Sequence, residues 1–316
     1  MKKKISIILQ IIIFSILISC NNKPNSEIIE SDKIIQQLNR NMDIQLEGKT
    51  ISDDLDFTKI DNKYIISKGL SVAEIKNSIT FVDCKFEGKI IGFDISDKIG
   101  YTTYFDKNLT FINCQFMDSV NFRQITVNSL VNFSQSTFNS LATFEGAVFK
   151  NANNYFVETT FKKEAKFTKS FFYGYVSFMN SIFRNIAYFK NSVFYGDAVF
   201  SACKFNGYTD FSNINFVSDF SINYSTFSDV LYFTSSVFQK DAEFNKIETD
   251  STAQFKDNLF YGNTKFNNST FKNNTLFKNN YFALGNPQTN NIAKSGTFEI
   301  DSSYTFTKNI IYSKEF

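Results

Sequence analysis

The chain has no histidine and no tryptophan, only two prolines, and four cysteines in 316 residues. Without histidine it lacks the usual general base near neutral pH and the commonest metal ligand. Two prolines exclude a linker-rich protein built of proline-stiffened segments. The charge is also nearly balanced, with 33 basic and 31 acidic residues and a formal net charge of +2. Lys2, Lys3 and Lys4 supply part of that surplus, and their removal with a leader would leave about −1. A near-neutral protein offers no electrostatic case for a nucleic-acid partner. No glycine-rich phosphate loop, nucleophile–base pair or Cys/His metal spacing occurs, so an enzyme is not expected and no cofactor is implied.

What is abundant is phenylalanine, with 40 copies. Between Ala165 and Phe211 it recurs at 167, 172, 178, 183, 189, 194, 200, 205 and 211, in steps alternating between five and six. A fixed period sustained over many units is the signature of a repeat architecture. An eleven-residue period first suggests a right-handed helical supercoil. Steps of five and six, however, scatter successive phenylalanines over different helix faces, where a helical stripe needs i, i+3, i+4 and i+7. The residues between them are Asn, Ser, Thr, Asp and Gly, which favour caps and turns. The helix is rejected.

Each Phe reads instead as the centre of a short strand, with the residue two positions earlier on the same side. Those partners are Ala165, Ser170, Val176, Ser181, Ala187, Ser192, Ala198, Cys203 and Thr209. Every inward pair is thus one small residue and one large one, separated from the next by a polar corner. That describes a narrow β-solenoid filled by stacked side chains.

The pattern resembles the pentapeptide-repeat proteins, whose unit is a small residue, a polar residue, a central Leu or Phe and two further polar residues. Ala187-Tyr188-Phe189-Lys190-Asn191 and Ser192-Val193-Phe194-Tyr195-Gly196 match it in register. The resemblance runs from about residue 80 to 282 and implies a right-handed quadrilateral parallel β-helix. Two departures stand out: the centre is nearly always Phe, and every second unit carries one extra residue, giving a coil of 22. About eight coils between Phe111 and Phe282 would span on the order of 40 Å at the spacing of paired strands.

In chain order, residues 1–19 have a basic start and an apolar run too short to cross a membrane comfortably, which defines an export signal. Leu17-Ile18-Ser19-Cys20 resembles the lipobox of bacterial lipoproteins. That resemblance implies cleavage before Cys20, its lipidation, and a place in the cell envelope, with the outer membrane expected. Residues 20–43 read as a tether and a short amphipathic helix over 27–39, with Ile28, Ile29, Ile34, Ile35 and Leu38 at near-helical spacing, capping the open end.

Residues 44–110 read as irregular first coils. The segment from Ile79 nearly repeats from Leu109, about eight residues further on than one coil allows, so 87–108 should hold an inserted loop. The regular solenoid covers 111–282, with one slip at a bulged corner over 151–154, and 283–316 reads as an irregular C-terminal cap. At 220–222 and 247–249 the large and small inward residues exchange places, Phe220 with Ile222 and Ile247 with Thr249, which conserves core volume.

Few residues offer chemistry. Cys84, Cys114 and Cys203 occupy the small inward position and read as buried small side chains; a Cys84–Cys114 disulfide is the sharper alternative if the insertion loops out. Tyr173, Tyr195 and Tyr261 lie at multiples of 22 and share one outer column that could stack on sugar rings or a partner chain. Asn180, Asn191, Asn213, Asn267 and Asn268 suit left-handed or side-chain-bonded corners. Asp53, Asp54 and Asp56 read as a solvated acidic loop. The expected protein is therefore a non-enzymatic, lipid-anchored rod with an unidentified protein or glycan partner, and pairing of solenoid ends into a homodimer is open. A DNA-mimicking, topoisomerase-protecting role, which some pentapeptide-repeat proteins have, ranks last because the chain is neither acidic nor without an export signal.

Overall fold

A computed structural model describes residues 26–96, 98–150 and 153–294, and the backbone of Phe298–Ile300 and Ile310–Tyr312. The chain winds through four parallel sheets of 10, 13, 11 and 12 strands. In the first coil the four faces are entered by β2 (Ile44–Glu47), β3 (Thr50–Ile51), β4 (Leu55–Asp56) and, after the strand β5 (Lys63–Ser67), β6 (Leu70–Ile75). This order repeats to the end, so the first face lies opposite the third and the second opposite the fourth. Thirteen strands on the second face make a rod about 58 Å long at ~4.8 Å per step.

Why this sequence closes into that coil is visible at the corners. A residue with positive φ recurs every eleven positions, two after an inward Phe: Asn113, Gln124, Gln135, then Lys169, Asn180, Asn191 and on to Asn279. These left-handed residues turn the five-residue corners, whereas the six-residue corners use their extra residue instead. Asn180, Asn191, Asn213 and Asn268 are left-handed, a conformation Asn tolerates better than most. Asn267 is not; its side chain accepts the Asn290 N–H, and its own N–H bonds to the Asn245 side chain, continuing a ladder from Asn223.

Ala202 takes φ 58° with no polar side chain to compensate. Ala202→Gly is therefore expected to stabilise the chain by about 1 kcal/mol, read as a raised denaturation midpoint.

The left-handed corner also dictates the small residue after it. Ser225 accepts the Cys203 N–H at 3.0 Å and donates to the Phe200 carbonyl at 2.7 Å. Ser136, Ser236 and Ser269 do the same in their coils. The wide corners lack this need and are followed by Ala142, Ala165, Ala187, Ala198 and Ala242. Hence much of the Ala/Ser alternation: hydroxyls, or the Asn258 and Asn280 amides, pair corner backbone groups that would otherwise be buried unpaired. Ile125, Ala147, Ile214 and Ile247 follow left-handed corners without such a group.

Inward phenylalanines fill the rod as four stacks, interrupted at Val127, Ile222 and Thr249. Phe167, Phe189 and Phe211 lie one above the other with centroids 5.1 and 4.8 Å apart and planes within 3°. Phe178 and Phe200 meet Phe189 edge-on from the opposite face. All five rings are fully buried in one cluster that runs from Ile34 to Ile292.

Several boundaries differ from the sequence reading. The helix α1 starts at Ser31 and ends at Asn39 (Ser31–Asn39), while Ile28–Ile29 form β1, paired with β3. The two isoleucines extend the second face, and Asp53 takes the Ser31 N–H and hydroxyl at 2.9 and 2.7 Å, starting the helix there. Ile34, Ile35 and Leu38 then close the end of the core.

After β7 (Ile79–Val82), β8 (Lys85–Phe86) and β9 (Ile90–Ile91), the insertion is no loop but a hairpin of β10 (Phe93–Ser96) and β11 (Ile99–Phe105). It leaves Ile79 paired with Leu109 and Lys85 with Gln115. The early coils are thus in register; their irregularity is confined to side excursions. At the slip, Asn153–Tyr155 already form a strand with Asn154 buried inward. The bulge is therefore shorter than expected, and residues 151–152 lie outside the described ones. At the C-terminal end Ile292–Lys294, Phe298–Ile300 and Ile310–Tyr312 pair in parallel with the coil before them. The tail extends the stack instead of covering it irregularly.

Candidate interaction surface

A filled core leaves function to the outside of the rod, and the four faces differ there. On the second face the outward positions hold Thr137, Thr160, Ile182, Lys204, Thr226, Glu248 and Thr270. On the fourth they hold Val148, Phe171, Val193, Asn215, Val237, Leu259 and Tyr281, six of the seven carbon-rich. Tyr173, Tyr195, Val217, Gln239 and Tyr261 flank this strip in one column, each donating its N–H to a core Phe one coil back. The fourth face is therefore the apolar one.

Tyr173 and Tyr195 are 49 % and 41 % exposed, with rings stacked at 4.6 Å and 11°. Each covers one face of the other, so neither offers both faces to a sugar. Tyr261 shares the column, but Val217 and Gln239 stand between; its ring contact is Tyr281, at 6.4 Å. The three tyrosines form a pair and a separate outpost, not a continuous column.

The third face carries a cluster that sequence reasoning passed over. Tyr188, Tyr208 and Tyr232 run edge to face at 5.9 and 5.5 Å around Asp210, whose carboxylate lies 3.9 Å from Lys190. Burial pushes the Tyr208 phenol up to about 12, and the neighbouring Asp210 charge adds to it. The 22-residue spacing of 188, 210 and 232 was the available signal.

Polar groups elsewhere are engaged in the fold. Asp53, Asp54 and Asp56 accept the N–H groups of Ser31, Lys89 and Thr58, while Asp53 and Asp54 stay exposed, so the acidic cluster is a solvated loop whose carboxylates also tie down backbone. Asp197, Asp219 and Asp241 each accept the N–H one coil on, at Asp219, Asp241 and Asn263. Among the described residues no group of three or more Cys, Asp or Glu could hold a metal ion.

Cys84, Cys114 and Cys203 are buried free thiols. Cys84 and Cys114 follow paired strands in adjacent coils, but each thiol points inward and donates to the carbonyl two residues before it, at 3.2 and 3.4 Å. Burial pushes the Cys114 and Cys203 thiols well above the usual range. Cys20 lies outside the described residues.

Two shallow clefts of about 460 and 480 Å³ both lie in the N-terminal coils. The first opens between β10 and the third face, where Arg123 sits 5.5 Å over the Phe93 ring and 4.0 Å from Glu145.

The family model for pentapeptide repeats matches in nine copies, over residues 111–154 and 180–226. The chain carries pentapeptide repeats. No curated protein and no solved structure matches it. The unmatched coils at 156–178 and beyond 226 keep the same register and core, so the solenoid continues between and past the matched residues.

Proposed function

We propose that this pentapeptide-repeat solenoid is a non-enzymatic, lipid-anchored cell-envelope scaffold that presents the fourth face of its rod to a protein partner. The observation that carries the reading is the apolar strip from Val148 to Tyr281, on a rod whose interior is filled largely by phenylalanine. The strip is broken at Asn215, half-exposed over most of its length and exposed at Leu259 and Tyr281. Extended apolar surface of that kind marks interaction sites. The anchor is supported by the lipobox-like residues ending at Cys20.

The test is membrane fractionation of the native host, with protease added to intact cells. Wild type should sediment with membranes and Cys20→Ala should not. A wild-type protein found soluble in the cytoplasm sinks the reading. A second reading, glycan binding, is favoured only by the exposed Tyr173–Tyr195 pair. It requires that Tyr195→Ala abolish binding on a glycan screen while leaving the fold intact.

A further inference from the structure

Two hairpins interrupt the coils only at the N-terminal end, and they lie side by side. β5 folds antiparallel onto β6, β10 onto β11, and β6 pairs in parallel with β11, Leu70 opposite Gly100. Their turns touch: the Gly100 N–H donates to the Gly69 carbonyl at 2.8 Å. The result is a four-stranded wing, in the order β5-β6-β11-β10, standing off the fourth face.

The wing carries what a soluble edge normally avoids. Ile65, Ile66 and Ile95 are 78 %, 61 % and 63 % exposed, Tyr64 45 % and Ile99 37 %. Lys68 and Lys98 stand exposed at the two turns. All five residues of β5 are exposed, and β5 is the terminal strand of its sheet. Exposed aliphatic side chains mixed with Tyr and Lys suit the boundary between lipid headgroups and acyl chains.

We propose that this wing is a second membrane contact, entering the headgroup region of the bilayer that holds the N-terminus. The inference rests on the lipid-anchored reading. Its occupant follows from where the chain enters the fold. Ser26 is tied through its hydroxyl to Thr50 at the start of the second face. Only five residues lie between it and Cys20, a reach of at most about 22 Å. The second and fourth faces are opposite, so the tether and the wing straddle the same end of the rod. One tether alone lets a rod swing freely; a contact on the far side fixes its axis to the membrane.

The absence of tryptophan makes the test clean. The mature chain beginning at Cys20 is coupled through that thiol to a maleimide lipid in phosphatidylcholine–phosphatidylglycerol vesicles, the other three thiols being buried. Ile65→Trp and, separately, Ile95→Trp report the wing, and Leu284→Trp, at a 65 % exposed site towards the other end, is the control. Wing emission should shift to the blue on vesicles and be quenched by acyl-brominated lipid, with the control unchanged. Identical wing spectra on vesicles and in buffer overturn the proposal. A blue shift that grows with protein concentration without lipid also overturns it, assigning β5 to a second copy of the chain. The mass of the natural N-terminus reports lipidation of Cys20 separately, so failure of the anchor and failure of the wing are distinguishable.

Discussion

Phe189→Ala is expected to destabilise the rod by about 3–5 kcal/mol, the cost of emptying a core site that cannot collapse. The ring is fully buried, stacked between Phe167 and Phe211 and met edge-on by Phe178, Phe183 and Phe200. Aromatic pairs of this geometry add to the loss of buried area. Coils above and below are held rigidly by their own backbone ladders, so little relaxation can fill the space. In a stack where each repeat touches only its neighbours, a weak central coil separates two flanking blocks. Guanidinium unfolding should therefore show a lowered midpoint and a broadened or split transition. Tyr195→Ala, six residues on but facing solvent, should move the midpoint by no more than about 0.5 kcal/mol. Equal effects of the two changes would contradict a core made of inward phenylalanines.

The exchanged face gives the second large effect. Phe220 and Ile222 are both buried, and Phe220 fills the column that elsewhere holds Val176, Ala198 and Ala242. Its ring reaches Phe216 at 4.4 Å and both Phe238 and Phe244 at 5.4 Å. Phe220→Ala alone should cost about 3–5 kcal/mol, and Ile222→Phe alone about 1–3 kcal/mol by overpacking. The double change restores the pattern of the neighbouring coils, with the introduced ring continuing the stack of Phe200 and Phe244. It should therefore recover most of the stability, giving a coupling of several kcal/mol where distant sites would add. Simple additivity in a double-mutant cycle would show that the two residues do not share one volume.

The repeat itself was legible because each coil repeats the same physical problem. One Phe, one small partner and one corner residue recur, so the 22-residue coil and the inward set follow from spacing alone. The Ala/Ser alternation was visible too, but its cause was not. Only the fold reveals that Ser225 bonds to backbone groups 22 and 25 positions away. The ends were harder. Ile28 and Ile29 carry a helical spacing that pairing with Thr50 and Ile51 overrides. The tyrosine column failed for a related reason: a shared column says which residues align, not what stands between them, and Val217 and Gln239 interrupt it. The wing showed only as an excess of about eight residues between Ile79 and Leu109, which marks an insertion but not its hairpin. Its strands pair antiparallel through local turns, outside the period that organises everything else.

The one-coil-per-turn winding puts β1 and the strand at Ile310–Tyr312 at opposite ends of the second face. A force applied between the two ends therefore loads the hydrogen bonds of one coil at a time, as in opening a zipper, and never all together in shear. Each coil of 22 residues that peels away replaces about 5 Å of rod by up to about 75 Å of extended chain. Under tension such a rod would lengthen in uniform steps, each ending at the next layer of stacked rings.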